Sequence, residues 1–185
     1  MPKINDTRIL IMATDGFEQS ELLVPLEQLK KLGADVHVAT PGGATIKGWN
    51  DHDWGQSVEA DLSLENAQVE DYDALVIPGG QMNPDILRTD EKAVSLVQEF
   101  CKAGKTIGAI CHGPWLLVEA GIVDGRRVTS YHSIATDLKN AGAKWQDEEV
   151  VADNAIVTSR SPGDLPAFVD KVVEEIEEDR HRRAA

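Results

Sequence analysis

The chain predicts an α/β fold with a mostly parallel sheet covered by helices on both faces. Short apolar runs of strand character recur along it, and longer segments with helical spacing separate them. Several of the runs are apolar almost throughout, as in strands buried on both sides. At 185 residues, a single domain spanning 1–185 is expected, long enough to bury a core without covalent staples.

The first strand is "RILIMAT" (8–14), followed by a helical segment carrying Leu22, Leu26 and Leu29. Pro25 lies inside that segment, where a proline removes a hydrogen bond and clashes with the preceding turn, so a kink or a separate first turn is expected. Gly33 then stands where a left-handed C-cap belongs, ahead of the strand "DVHVAT" (35–40). The Gly-, Asp- and Trp-rich stretch 40–64 has weak periodicity and reads as a small hairpin with an exposed loop. After the strand "DALVIP" (73–78), Thr89 or Asp90 is the N-cap of a helix carrying Val94, Val97 and Cys101 and ending at Gly104. The strand "TIGAI" (106–110) runs into a helix closed by Gly121, "RRVTS" (126–130) into one closed by Gly142, and "AIVTS" (155–159) is the last strand. The terminal "EEIEEDRHRRAA" reads as a helix fraying over about 178–185, and there is no internal repeat or linker.

Eighteen basic residues against 32 acidic ones give a net charge of −14, which repels nucleic acid phosphates and anionic lipid, so neither nucleic acid nor membrane is an expected partner. The apolar run near the N-terminus is too short for a signal peptide, and no stretch approaches the roughly 20 residues of a membrane span. Two cysteines make neither a disulfide framework nor a zinc site. The expectation is a soluble cytoplasmic protein with free thiols and no metal or cofactor.

Parallel sheets of this kind bind ligands outside the carboxyl ends of their strands. "AICHG" (109–113) places Cys111 there, at a strand-to-helix turn, with Gly113 letting neighbouring backbone come close. Helix-start N–H groups favour thiolate, so location alone could activate the sulfur; the other reading is a small buried apolar residue. Cys101, inside a helix, has no such setting. His112 is placed to act as base or to hold the thiolate as an ion pair. Glu18, in the loop after the first strand, either faces the thiol or is a solvated helix-start carboxylate. Gly79 and Gly80 bring backbone amides to the same edge, as an oxyanion site or as ordinary turn residues.

With "DGFEQSEL", "DALVIPGG", "AICHGPWLL" and "GRRVTSYHSIATDLKNAGA" in view, the sequence resembles the DJ-1/PfpI superfamily, in its branch of intracellular cysteine peptidases and general stress proteins, over about residues 8–173. The resemblance implies a flavodoxin-like three-layer sandwich, with Cys111 as nucleophile at a strained elbow, Glu18 as its close acidic neighbour and His112 as base. It also implies an oxyanion hole made by the Gly80 N–H and the amide after the nucleophile. In the peptidases an acid from a neighbouring subunit completes a triad; Asp85 matches its place approximately, in a "GGQMNPD" loop one residue longer. Tyr131 matches a tyrosine near the active site that can donate to substrate, and Trp49, His52 and Trp54 are candidates for the pocket wall. A homodimer, or a higher homo-oligomer, is implied.

Two functions follow. In one, the Cys111 thiolate attacks a small carbonyl or peptide substrate, as in glyoxalase, deglycase or peptidase chemistry. In the other, Cys111 senses oxidants by reversible oxidation without turnover.

Overall fold

The computed structural model describes residues 3–184, with the side chains of 179–184 outside the description. Its strands are β1 (Arg8–Met12), β2 (Asp35–Thr40), β3 (Ile46–Asn50), β4 (Asp53–Val58), β5 (Leu62–Ser63), β6 (Ala74–Ile77), β7 (Thr106–Ile110), β8 (Arg127–Val128), β9 (Lys144–Trp145), β10 (Val150–Asp153) and β11 (Ile156–Ser159). The α-helices are α1 (Gln19–Lys31), α2 (Met82–Leu87), α3 (Glu91–Lys102), α4 (Pro114–Glu119), α5 (Ala135–Asn140) and α6 (Leu165–Ala184).

Seven strands form the central sheet in the order β10-β11-β7-β6-β1-β2-β5, parallel except for β10 against β11. Alternation along each strand divides its side chains between two cores. Leu10, Met12, Leu75, Ile77 and Ile107 pack with Leu96, Phe100, Leu116 and Leu138 of α3, α4 and α5. Ile9, Ile11, Ala74 and Val76 pack with Leu22 and Leu29 of α1 and Phe168 and Val172 of α6. The result is the three-layer, flavodoxin-like sandwich expected. β1 pairs with β2 on one side and β6 on the other, so the chain reverses its direction of winding there and opens a crevice beyond the strands' carboxyl ends.

Some local expectations are met by specific bonds. Asp90 caps α3 by accepting from the Lys92 and Ala93 N–H groups, and Gly33, Gly104, Gly121 and Gly142 follow their helices at φ 98°, 66°, 71° and 90°. The 40–64 stretch contains the hairpin β3–β4, with Trp49 opposite Trp54.

Three details differ. α1 runs as one helix with Pro25 buried in its interior, not as a separate first turn, because its apolar face is held against the sheet. In the 126–130 run only β8 is strand, and it pairs with β9 in a separate two-stranded sheet, not with the central one. β10 was not anticipated: it joins β11 through a two-residue turn in which Asn154 and Ala155 both have positive φ, the geometry of a tight hairpin. The expected fraying over 178–185 falls almost wholly on residues whose side chains lie outside the description, and α6 itself extends to Ala184. Among the described residues no helix is long and apolar enough to cross a membrane.

Candidate active site

Three loops meet in the crevice: those after β1, β6 and β7. Cys111 begins the loop after β7 at φ 63°, a left-handed conformation that a β-carbon makes unfavourable. Its N–H donates to the Ser159 carbonyl at 3.0 Å and its carbonyl accepts from the Tyr131 N–H at 2.8 Å, so bonds on both sides hold the strained residue in place. The expected strained elbow is present.

The glycines around it are there because of crowding. A β-carbon on Gly79 would overlap the Glu21 carboxylate and lie 2.5 Å from the Cys111 β-carbon and 2.7 Å from the Ile110 carbonyl oxygen. At Gly80, with φ 83°, a β-carbon would run into the backbone of the β1–α1 loop at Gly16 and Glu18. A β-carbon on Gly113 would approach the Ile77 carbonyl oxygen to 2.8 Å. The backbone N–H groups of Gly80 and His112, the two expected oxyanion donors, both point at the Cys111 sulfur.

The acid that meets the thiol is Glu21, not Glu18. Glu18 lines the same pocket, but it is the N-cap of α1, where its carboxylate accepts from the Glu21 N–H at 3.0 Å and from the Ser20 hydroxyl. Helical side chains lean toward the helix N-terminus, so an acid one turn inside α1 is aimed at the sheet edge, while the cap residue is occupied by the cap. Glu21 is fully buried; its Oε2 accepts from the Gly79 N–H at 2.8 Å, and the carboxyl lies beside the Cys111 thiol in the same pocket. Burial, helped by the Glu18 charge, pushes the Glu21 pKa up to about 8, so the carboxyl is protonated at neutral pH. Its signal in the sequence is an acid at i on the stripe Glu21, Pro25, Leu29 that α1 buries.

Cys111 is only 6% exposed, so the turn does not present its sulfur openly. Burial, and the Glu21 carboxylate once it has ionised, push the thiol's pKa up, against the pull of the Gly80 and His112 N–H groups. Helix-start location alone does not ionise it. The nearest side-chain nitrogen is His112 Nδ1, 3.2 Å from the sulfur. Burial, with a smaller contribution from His132, lowers the His112 pKa to about 4, so its ring is neutral and able to accept.

Tyr131 stacks on the His112 ring with centroids 4.8 Å apart, Trp115 meets it edge-on at 5.2 Å, and Ser133 Oγ lies 3.2 Å from Nε2. Ser133 was not singled out from the sequence, and nothing in "TSYHS" signals which hydroxyl would face a ring 21 residues away. Asp85 is exposed on α2, and the partner of Nε2 within the chain is Ser133.

The crevice is a cavity of about 560 Å³ lined by Glu18, Glu21, Trp49, Met82, Cys111 and Tyr131, among others. Of the three aromatic candidates for its wall, Trp49 lines it. His52, in the hairpin turn, and Trp54, across the hairpin from Trp49, are exposed and do not line it. Among the described residues no group of three or more His, Cys, Asp or Glu side chains is arranged to hold a metal ion.

A doubly wound sheet with a cysteine on a left-handed elbow, two backbone donors on its sulfur and a protonated carboxyl beside it defines a class of α/β proteins built around a buried thiol at the carboxyl edge of the sheet. The chain belongs to the DJ-1/PfpI family, whose model matches residues 7–175. It is 43% identical over 166 residues to "Deglycase TK1284" of Thermococcus kodakarensis, covering 90% of this chain and 97% of the relative. It is 41% identical over 163 residues to "General stress protein 18" of Bacillus subtilis, covering 87% and 92%. The crystal structure of Drosophila melanogaster DJ-1beta superposes with a TM-score of 0.83 at 27% identity, covering 96% of this chain and 95% of that one.

Proposed function

We propose that the protein is a stress-protection enzyme in which the Cys111 thiolate attacks the carbonyl carbon of a small reactive aldehyde or of its adducts on protein, as a glyoxalase or deglycase. The observation that carries this reading is the placement of Glu21 and His112 Nδ1 against one sulfur that also receives two backbone N–H groups. The names of relatives as deglycases and a general stress protein support the same role.

With methylglyoxal the thiol proton passes to His112 and sulfur adds to the aldehyde carbon, giving a hemithioacetal whose oxygen faces the Gly80 and His112 N–H groups. A proton then moves from that carbon to its neighbour, carried by Glu21 or His112, leaving a lactoyl thioester. Water cleaves the thioester to lactate and returns the thiol, with no outside oxidant or reductant. The proton-moving carboxyl is thus Glu21 and not Glu18.

We place the protein in the cytoplasm, whose reducing conditions suit its free cysteines, and as a homodimer or higher homo-oligomer in which Asp85 of one copy approaches His112 of another. The oxidation-sensor reading has less support, because the sulfur is buried and its pKa is raised.

The test is lactate formation from methylglyoxal by wild-type, Cys111→Ala and Cys101→Ala proteins. Loss confined to Cys111→Ala is expected; absence of turnover in the wild type would sink the activity.

A further inference from the structure

α2 starts in the long "GGQMNPD" loop and places Asn83 beneath the double glycine, fully buried. Its Oδ1 accepts from the Thr14 N–H at 2.7 Å, in the loop after β1. Its Nδ2 donates to the Pro78 carbonyl at 2.9 Å and, more weakly, to the Gly79 carbonyl at 3.4 Å, in the loop after β6. An N–H on one side and carbonyls on the other fix which end of the amide is which. One buried carboxamide therefore ties together two of the three loops that form the site.

The Gly79 carbonyl also accepts from the Glu18 N–H at 3.2 Å. In a trans peptide the carbonyl and the following N–H point in opposite directions. Two donors drawing the Gly79 oxygen away from the crevice therefore turn the Gly80 N–H into it, where it meets the Cys111 sulfur.

We propose that Asn83 is a positioning residue for the thiol: it touches neither sulfur nor substrate, and it orients the Gly79–Gly80 peptide so that the Gly80 N–H stabilises negative charge on Cys111 or on the oxyanion formed from substrate. This rests on the reading of Cys111 as the nucleophile.

The test is the pH dependence of Cys111 alkylation by iodoacetamide in a Cys101→Ser background, for Asn83, Asn83→Ala and Asn83→Asp proteins, with thermal midpoints measured alongside. Asn83→Asp keeps the acceptor for Thr14 and loses both donors. Leu138→Ala, in the core under α5, is the control for plain destabilisation. Both Asn83 variants are expected to shift the alkylation midpoint upward by about one pH unit, a roughly tenfold slower reaction at pH 7, while the control leaves the midpoint in place. A midpoint unmoved in either Asn83 variant overturns the proposal. Should neither variant fold, hydrogen exchange at the wild-type Gly80 amide decides: protection supports the proposal and free exchange overturns it. Alkylation reads the thiol directly, so a wild type that turns over no carbonyl sinks the proposed activity without touching this inference, and an unmoved midpoint does the reverse.

Discussion

The two ends of the central sheet each carry a histidine among carboxylates, and they have opposite characters. At the amino end, Arg8 Nε meets Asp35 at 2.9 Å, Asp35 meets His37 Nε2 at 3.1 Å, and His37 Nδ1 meets the Tyr72 hydroxyl at 2.9 Å. Each side chain there has a partner, and Arg8, Asp35 and His37 are 47%, 53% and 31% exposed. At the carboxyl end His112 and Glu21 are buried, Oε1 of Glu21 has no conventional hydrogen-bond partner, and both pKa values leave their ordinary range. The residue types are similar; water and partners are what differ. Desolvation combined with incomplete pairing turns a cluster into a reactive one, whereas a paired, hydrated cluster fastens strand ends together.

The comparison can be broken first at its glycines. Gly79→Ala drives a β-carbon into Glu21 and Cys111, and is expected to cost more than about 3 kcal/mol in denaturant unfolding or to prevent folding. Gly104→Ala at the amino end, with φ 66° but open space around it, is expected to cost about 1 kcal/mol. Equal losses would mean that crowding does not distinguish the two ends.

pH sharpens the contrast at intermediate size. Glu21 has a folded pKa of about 8 against a reference value of 4.5, so between these values the unfolded chain gives up a proton that the folded one keeps. Its contribution to stability therefore falls as pH rises from 4.5 to 8, and Glu21→Gln is expected to remove that decline, gaining on the order of a few kcal/mol at pH 8. His112 acts on the other side: its pKa is lowered to about 4, so its contribution is lost as pH falls from 6.5 toward 4. Unfolding titrations of Glu21→Gln and His112→Gln beside wild type measure the two slopes, and a Glu21→Gln profile parallel to wild type would show that the carboxyl is ionised.

The smallest effect lies at the amino end. Arg8→Ala is expected to change stability by less than about 1 kcal/mol, because its ion pair with Asp35 is half exposed; thermal unfolding at low and high salt checks it.

Strand positions were legible in the sequence because central strands buried on both faces leave unbroken apolar runs, as "ALVI" of β6 and "TIGAI" of β7 do. β10 was not, because "VVAD" sits on an edge with three of its four residues only half-buried and reads as loop. In the site, the loop glycines and Cys111 announced themselves by position. Glu21 did not, since "EQSEL" holds two carboxylates and only the start of α1 at Gln19 decides which one caps and which one turns inward. Asn83 and Ser133 were invisible for a different reason: the Thr14 partner of Asn83 and the His112 partner of Ser133 are 69 and 21 residues away, and no local pattern encodes a contact at that range.

The hairpin β3–β4 supplies Trp49 to the cavity wall from outside the central sheet, joined to the β1–α1 loop by the Trp49 N–H to the Phe17 carbonyl at 2.7 Å. The cavity thus draws its two sides from differently built parts of the molecule. Cys111 is locked among core strands that tolerate little revision, while one wall of its cavity is carried by a two-stranded hairpin whose turn at Asp51 faces solvent, so that turn is the part of the surroundings freest to change.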